Sequence, residues 1–124
     1  MKVTNWAIDI DGVITANPAA LSWLTYHLLK NENRNNIFIL SWRNGADELT
    51  KIRTIEELKR FNIYYNQLIL APKRLTIRGA AYWKIANIKK LHIDIWVDDE
   101  LKIYKRDYGI DLDLLLPEVI KIWI

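Results

Sequence analysis

The chain has 124 residues, a formal net charge of +3, 51% hydrophobic and 27% charged residues, and no cysteine. That size and balance predict a single globular domain over residues 1–124 and exclude a disordered chain, disulfides and thiolate metal sites. No apolar run is long enough to cross a bilayer, and the start, Met1-Lys2-Val3-Thr4-Asn5, lacks the apolar core of a signal peptide. The expected compartment is therefore cytoplasmic, with no membrane partner.

The first apolar run, from Val3 through Trp6, Ala7, Ile8 and Ile10, reads as a buried strand. It ends in Asp9-Ile10-Asp11-Gly12. Residues i and i+2 of an extended chain project to the same side, so Asp9 and Asp11 leave the strand end together. Two neighbouring carboxylates repel by ~4 kcal/mol at the effective dielectric of a near-surface site. A bound cation, or one carboxyl kept protonated for acid/base work, would offset that repulsion. The plain alternative is an acidic turn.

Pro18 suits a first helical turn, and Leu21, Leu24, Leu28 and Leu29 mark the inner stripe of a helix to about Lys30. The polar stretch Asn31 to Asn36 is a loop. Ile37-Phe38-Ile39-Leu40 is a fully apolar strand that stops at Ser41-Trp42-Arg43-Asn44-Gly45. Leu49, Ile52, Ile55 and Leu58 or Lys59 give helical spacing from about Ala46 to Arg60. Ile63 to Leu70 reads as a strand, Ala71 to Gly79 as a loop, and Ala80 to Leu91 as a helix with Ile85, Ile88 and Leu91 inward. Ile93 to Val97 is the next strand, ending in Asp98-Asp99-Glu100. A short helix is expected over Leu101 to Tyr108, a last strand over Leu112 to Leu116, and a C-terminal helix opened by Pro117. The six tryptophans read as core, and His27 and His92 as surface residues without a role.

Strands and helices alternating at this spacing predict an α/β fold, a parallel sheet with helices on both faces. Ligands in such sheets bind at the carboxyl ends of the strands. The polar clusters fall there: Asp9 and Asp11 after the first strand, Ser41 after the second, Asp98 and Asp99 after the fourth. Together with a lysine they resemble the parts list of a metal-assisted phosphoryl-transfer site. Asp9, Asp98 and Asp99 offer hard oxygen ligands for Mg²⁺, Ser41 a donor to a phosphoryl oxygen, and the lysine a positive charge. An aspartate can attack phosphorus, and a carboxyl two residues along can protonate the leaving oxygen.

Lys73, Arg74, Arg78, Lys84, Lys89 and Lys90 gather in one third of the chain around Tyr82 and Trp83. This segment reads either as a nucleic-acid-following surface or as a solvated helix face with two core aromatics. The apolar tail Val119 to Ile124 reads either as core packing or as an interface, which leaves a homodimer open.

In order, these segments resemble the haloacid dehalogenase (HAD) superfamily of Mg²⁺-dependent phosphohydrolases. Asp9-Ile-Asp11-Gly-Val-Ile-Thr is similar to its first motif and Ile37-Phe-Ile-Leu-Ser41 to the second. Lys84 in Tyr82-Trp83-Lys84-Ile85 is similar to the third, and Ile95-Trp-Val-Asp98-Asp99-Glu100 to the fourth. More narrowly, the set resembles a branch of small bacterial and phage members, some attached to RNA-repair proteins. The resemblance implies a Rossmann-like core with the first strand central. It implies Asp9 as nucleophile and metal ligand, and Asp11 as acid/base with its backbone carbonyl on Mg²⁺. Ser41, with the neighbouring Trp42, and Lys84 would hold substrate phosphate; Asp98 would ligate the metal, and Asp99 would assist directly or through water. Lys73 competes with Lys84 for the lysine's place.

Neither the stretch between Asp11 and Ser41 nor that between Ser41 and Lys84 can hold a separate cap domain. An uncapped site suits a phosphate on a bulky molecule, such as a nucleotide or a nucleic-acid end. The expected function is thus an Mg²⁺-dependent phosphatase working through an aspartyl-phosphate. The alternative is a catalytically weak module that keeps the acidic site to dock a phosphorylated partner. A response-regulator receiver is set aside, because Leu70-Ala71-Pro72 offers no aspartate after the third strand.

Overall fold

The computed structural model describes residues 2–31 and 34–123. Five strands, β1 (Thr4–Ile8), β2 (Asn35–Asn44), β3 (Gln67–Ala71), β4 (Ile95–Val97) and β5 (Ile120–Ile122), form one sheet in the order β3-β2-β1-β4-β5. Every pairing is parallel, and β1 lies at the centre. Three longer helices, α1 (Pro18–Lys30), α2 (Glu48–Arg60) and α3 (Ile77–Lys90), and two short ones, α4 (Ile103–Tyr108) and α5 (Leu112–Leu115), make the connections. This is the expected α/β architecture, a Rossmann-like three-layer sandwich.

Two buried clusters, one on each face of the sheet, hold the layers together. Leu21 of α1 and Leu58 of α2 pack with Ile8, Ile37, Ile39 and Val97. On the other face Ala81, Ile85 and Ile88 of α3 and Tyr104 of α4 pack with Ala7, Phe38, Leu40 and Trp96. The alternation of Ala7 and Ile8, or Phe38 and Ile39, between clusters is the period of two that a doubly covered strand requires. The chain runs outward from β1 to β2 and β3, then returns across β1 to β4. The reversal leaves a crevice at the carboxyl ends of β1 and β4, the usual ligand position in such sheets.

Several predicted elements differ. Leu112 to Leu116 is not a strand, and α5 replaces it. The Asp111 carboxylate accepts the N–H groups of Asp113 and Leu114 at 3.1 and 3.2 Å, capping a helical turn. Only Leu112 and Leu116 of that run are buried, a spacing of four. Pro117 opens a turn rather than a helix, and the tail forms β5, where Ile120 N–H reaches Asp94 carbonyl at 2.9 Å. The free edge of β4 recruits this β-branched segment. The strand predicted from Ile63 begins at Gln67: Asn62 turns the chain at φ 55°, and Asn66 meets β2 with its N–H on Ile37 carbonyl at 2.9 Å and its side-chain oxygen accepting Ile37 N–H at 2.7 Å. The helix predicted from Ala80 starts at Ile77, where the Thr76 hydroxyl accepts Gly79 N–H at 3.0 Å.

On α2, Thr54 and Leu58 are buried, while Leu49, Ile52 and Ile55 are exposed. Of the six tryptophans only Trp96 is fully buried, while Trp23 and Trp123 are exposed. Among the described residues no helix is long and apolar enough to cross a membrane.

Candidate functional site

The first strand delivers Asp9 into the crevice between β1 and β4. Its N–H donates to Val97 carbonyl at 3.0 Å, which fixes the strand end, and the residue is 4% exposed. Asp98, at the end of β4, is fully buried; its N–H donates to Ile122 carbonyl at 3.0 Å and its Oδ1 accepts Glu100 N–H, also at 3.0 Å. Lys84 reaches across from α3, where Ala81, Ile85 and Ile88 bury the same helix face. Its Nζ lies 2.8 Å from Asp98 Oδ2 and 3.4 Å from Asp9 Oδ2.

Two buried carboxylates therefore share one buried ammonium, and Asp9 Oδ1 is left with no hydrogen-bond partner. Burial, opposed by Lys84 and reinforced by Asp98, pushes the Asp9 carboxyl up to about 7. Burial would lower the Lys84 ammonium, but Asp9 and Asp98 outweigh it and hold it above the usual lysine range. Asp99 and Glu100 are raised as well, each first by burial and then by neighbouring carboxylates, against the pull of Lys84.

Asp99 completes the cluster. One carboxylate oxygen from each of Asp9, Asp98 and Asp99 lies within 4.8 Å of the others. Gly12 makes room for it: its φ is 84°, and a Cβ built there collides with the Asp99 carboxylate. Glycine is required on both counts. An excess of buried negative charge, an orphaned Asp9 oxygen and a set of hard oxygen donors fit a hard metal cation.

Asp11 stands apart from this set. Residues Ile10 to Ile14 form one wide helical turn interrupted by extended backbone at Asp11 and the left-handed Gly12. The Asp11 side chain is 55% exposed and forms a two-pronged pair with Arg43, Nη2 to Oδ1 at 2.7 Å and Nε to Oδ2 at 3.0 Å. Arg43 is itself anchored by Glu57 Oε1 at 2.9 Å and by Thr54 Oγ1 at 3.1 Å. The hydrogen bonds that Arg43 donates to Asp11 come first in raising this guanidinium above its ordinary range. The Asp11 carboxylate is thus outside the acidic cluster, and its backbone carbonyl is the atom for which the resemblance implies a metal contact.

Ser41 is fully buried near the end of β2, and its Oγ accepts Arg43 N–H at 3.2 Å. The β2–β3 register shifts between Ser41 and Asn44, so the chain is irregular where Trp42 and Arg43 leave the ladder. Trp42 is half-buried and lines a hollow of about 310 Å³ with Asn44, Arg74, Leu75, Thr76 and Ile77. Lys73 is exposed after β3, so Lys84 is the lysine brought to the carboxylates. Lys84 is also no solvated helix residue, and Tyr82, expected as core, is 53% exposed. His27 stacks beside Trp23 on the surface of α1, and His92 sits in the turn after α3, both outside the crevice.

Arg43, Thr54 and Glu57 were not expected in the site. The signal was present: Arg43 follows Ser41 by two residues at a strand end level with Asp11. An arginine beside a tryptophan and an asparagine, however, reads as an ordinary solvated loop residue. Comparison with known proteins returned no match to a family model, to a curated protein or to a solved structure.

Proposed function

We propose that the chain is a Mg²⁺-dependent phosphomonoesterase in which Asp9 is the nucleophile, as its resemblance to the HAD superfamily implies. The observation that carries this reading is the buried Asp9–Lys84–Asp98 triad beside Asp99, with Asp9 Oδ1 unpartnered. A carboxylate oxygen without a hydrogen bond is costly to bury and suits a residue that must bond to metal or phosphorus. Asp9, Asp98 and Asp99 would hold the cation, with the Asp11 carbonyl as a further ligand. When bound, Mg²⁺ supplies positive charge that keeps Asp9 ionised and offsets that of an arriving phosphate dianion.

In the proposed reaction an Asp9 carboxylate oxygen attacks phosphorus, forming the aspartyl-phosphate as the ester P–O bond breaks. Asp11, released from Arg43 and protonated, gives its proton to the leaving oxygen. The ionised Asp11 then takes a proton from water, whose oxygen attacks phosphorus, freeing inorganic phosphate and Asp9. Lys84 fixes Asp9 and offers charge to the phosphoryl oxygens, and Ser41 Oγ with nearby backbone N–H groups supplies donors. Arg43 keeps Glu57 and Thr54 when Asp11 leaves, so it stays in place through the cycle.

The preferred substrate is a bulky phosphomonoester, a nucleotide or a nucleic-acid end. Connections at the crevice are short, as from β2 to α2 and from β3 to α3, and no inserted module roofs it among the described residues. No Asp or Glu occurs between Glu57 and Asp94, so Lys73, Arg74 and Arg78 give the rim beside Trp42 a positive charge. One observation favours the second reading, a phosphate-docking module without turnover: the Asp11 carboxylate is taken up by Arg43.

Phosphate release tests both. The substrates are an aryl phosphate, nucleoside monophosphates, and oligonucleotides with a 3′- or 5′-phosphate, each with Mg²⁺ and with a chelator. Release that needs Mg²⁺ and disappears in Asp9→Asn supports the enzyme. Mg²⁺ binding with no release from any substrate supports the docking module.

A further inference from the structure

Resting on the phosphomonoesterase reading, we propose that the group released from phosphate is a nucleoside bearing a second phosphate. Its base sits against Trp42 and the second phosphate is held by Arg74. The hollow that Trp42 lines, about 310 Å³, lies at the lower end of the range for small-ligand sites.

Alternation along β2 sets where this hollow opens. Phe38 and Leu40 pack on the α3 face of the sheet, Ile37 and Ile39 on the other. Trp42 continues the first set, and Asp9 continues that of Ala7 on β1, so both stand on the α3 face. Ile8 is level with Ile39, which puts Trp42 two residues, ~7 Å, beyond the level of Asp9 on the neighbouring strand. An ester bound at Asp9 has the core behind it. Its leaving group must therefore extend along the strand direction, past Trp42.

The start of α3 forms the facing wall. Because β3 and β4 run parallel, the helix between them returns against the strand direction, and its first turns stand outermost. Ile77, Ala80, Ala81 and Lys84 share one side of it, at the spacing i, i+3, i+4, i+7. With Trp42 they line a gap of about 10 Å³, room for one water and no more. Trp42 and Ile77 line the outer hollow as well, so the gap joins that hollow to Lys84. From Ile77 to Lys84 the helix rises ~10 Å. That span leaves room for one nucleoside between a phosphate at Asp9 and the open end of the hollow.

The walls fit a base and a phosphate in turn. Trp42, Leu75 and Ile77 supply flat and aliphatic surface, and stacking on an aromatic ring accepts any base. Asn44 Oδ1 accepts Ala46 N–H and Thr76 Oγ1 accepts Gly79 N–H, both at 3.0 Å. Among the described residues the Asn44 amide N–H groups and the Thr76 hydroxyl hydrogen have no acceptor, so they are free for the polar edge of a base. Arg74 is the charged member of the lining. It is exposed and pairs with no carboxylate among the described residues, whereas Arg43 and Arg106 each do. A guanidinium without an acid beside it suits phosphate, to which it donates two parallel N–H bonds. A nucleoside monophosphate would use the ring and leave the charge idle. Base and second phosphate occur together in a nucleoside 3′,5′-bisphosphate and at the phosphorylated end of a nucleic-acid strand.

The test compares phosphate release, with Mg²⁺, from a nucleoside monophosphate, a nucleoside 3′,5′-bisphosphate and a dinucleotide with a terminal phosphate. Calorimetry of the same dinucleotide without that terminal phosphate, which offers no phosphomonoester, reads the hollow by itself. The second phosphate is expected to lower KM at least about fivefold with little change in kcat, and Arg74→Ala to remove the difference. Trp42→Ala is expected to weaken dinucleotide binding at least about fivefold, and Trp42→Phe to restore it, with circular dichroism checking each fold. A gain shared by the bisphosphate assigns the site to free nucleotides as well; a gain with the dinucleotide alone assigns it to strand ends. Release without preference for a second phosphate, or a preference that survives Arg74→Ala, overturns the inference and leaves the phosphatase reading standing. So does dinucleotide binding indifferent to Trp42→Ala and Arg74→Ala. No release from any substrate, with dinucleotide binding that needs both residues, overturns the phosphatase reading and leaves the nucleotide subsite.

Discussion

Replacing Lys84 by methionine keeps much of the aliphatic bulk and removes the one charge shared by Asp9 and Asp98. The ammonium is 2% exposed, and its carboxylate partners lie at 2.8 and 3.4 Å, so solvent does not screen the loss. Removing one partner of a buried ion pair costs about 3–5 kcal/mol, because the remaining charge is stranded. For a chain of this length that corresponds to a fall of about 10–20 °C in Tm. The cost depends on pH. Lys84 is the main influence lowering the Asp9 carboxyl, which already sits at about 7 with the lysine in place, so in Lys84→Met it rises further. A carboxyl raised above its unfolded value binds its proton more tightly in the folded state. Stability is then present at low pH and lost as pH climbs from the ordinary carboxylate range through the folded value. Thermal melts should accordingly show a large deficit at pH 8 that shrinks toward pH 5, and Mg²⁺ should recover part of it at pH 8. A deficit under about 1 kcal/mol, equal at both pH values, would refute the triad and make Lys84 an ordinary helix residue.

In the unsubstituted chain the same carboxyl couples metal binding to protons. Mg²⁺ must displace a proton from Asp9 below about pH 7, so the Tm gain on adding Mg²⁺ should be larger at pH 8 than at pH 6; calorimetry in two buffers of different ionisation heat would detect the released proton. Gly12→Ala should cost roughly 1–2 kcal/mol for the left-handed backbone alone, and should weaken Mg²⁺ binding measurably by pushing the Asp99 carboxylate aside. Arg43→Ala strands Glu57 and frees Asp11, so a urea melt should lose about 1–3 kcal/mol. Asp111→Ala, which removes the cap of α5, should cost about 1 kcal/mol in the same melt and leave Mg²⁺ binding unchanged.

The parallel sheet and the meeting of Asp9 and Asp98 were legible because β1 and β4 are apolar runs that end in carboxylates, and the central place of β1 is the one the resemblance implies. Pro18 likewise marked the start of α1. The C-terminal region was not legible: Leu112 to Leu116 is short, with only Asp113 among its leucines, and neither period is visible in such a run until Asp111 is seen to cap it. Periodicity identifies the helix but not the direction in which its apolar face points, and here Thr54 and Leu58 face the core while Ile52 and Ile55 do not. Lys84 was separable from Lys73 only in three dimensions, since both lie in one basic segment. Arg43 went unrecognised because its role depends on Asp11, Thr54 and Glu57, which three different segments bring to it.

The most direct test of the account is to find the covalent phosphate. The chain is mixed with Mg²⁺ and its best substrate from the release assay, quenched in acid within one turnover, and mapped by peptide mass spectrometry. The account predicts one added phosphoryl group, labile to hydroxylamine, on the peptide carrying Asp9, and none in Asp9→Asn. Phosphate release that persists in Asp9→Asn, or a phosphoryl group on any other residue, would contradict it.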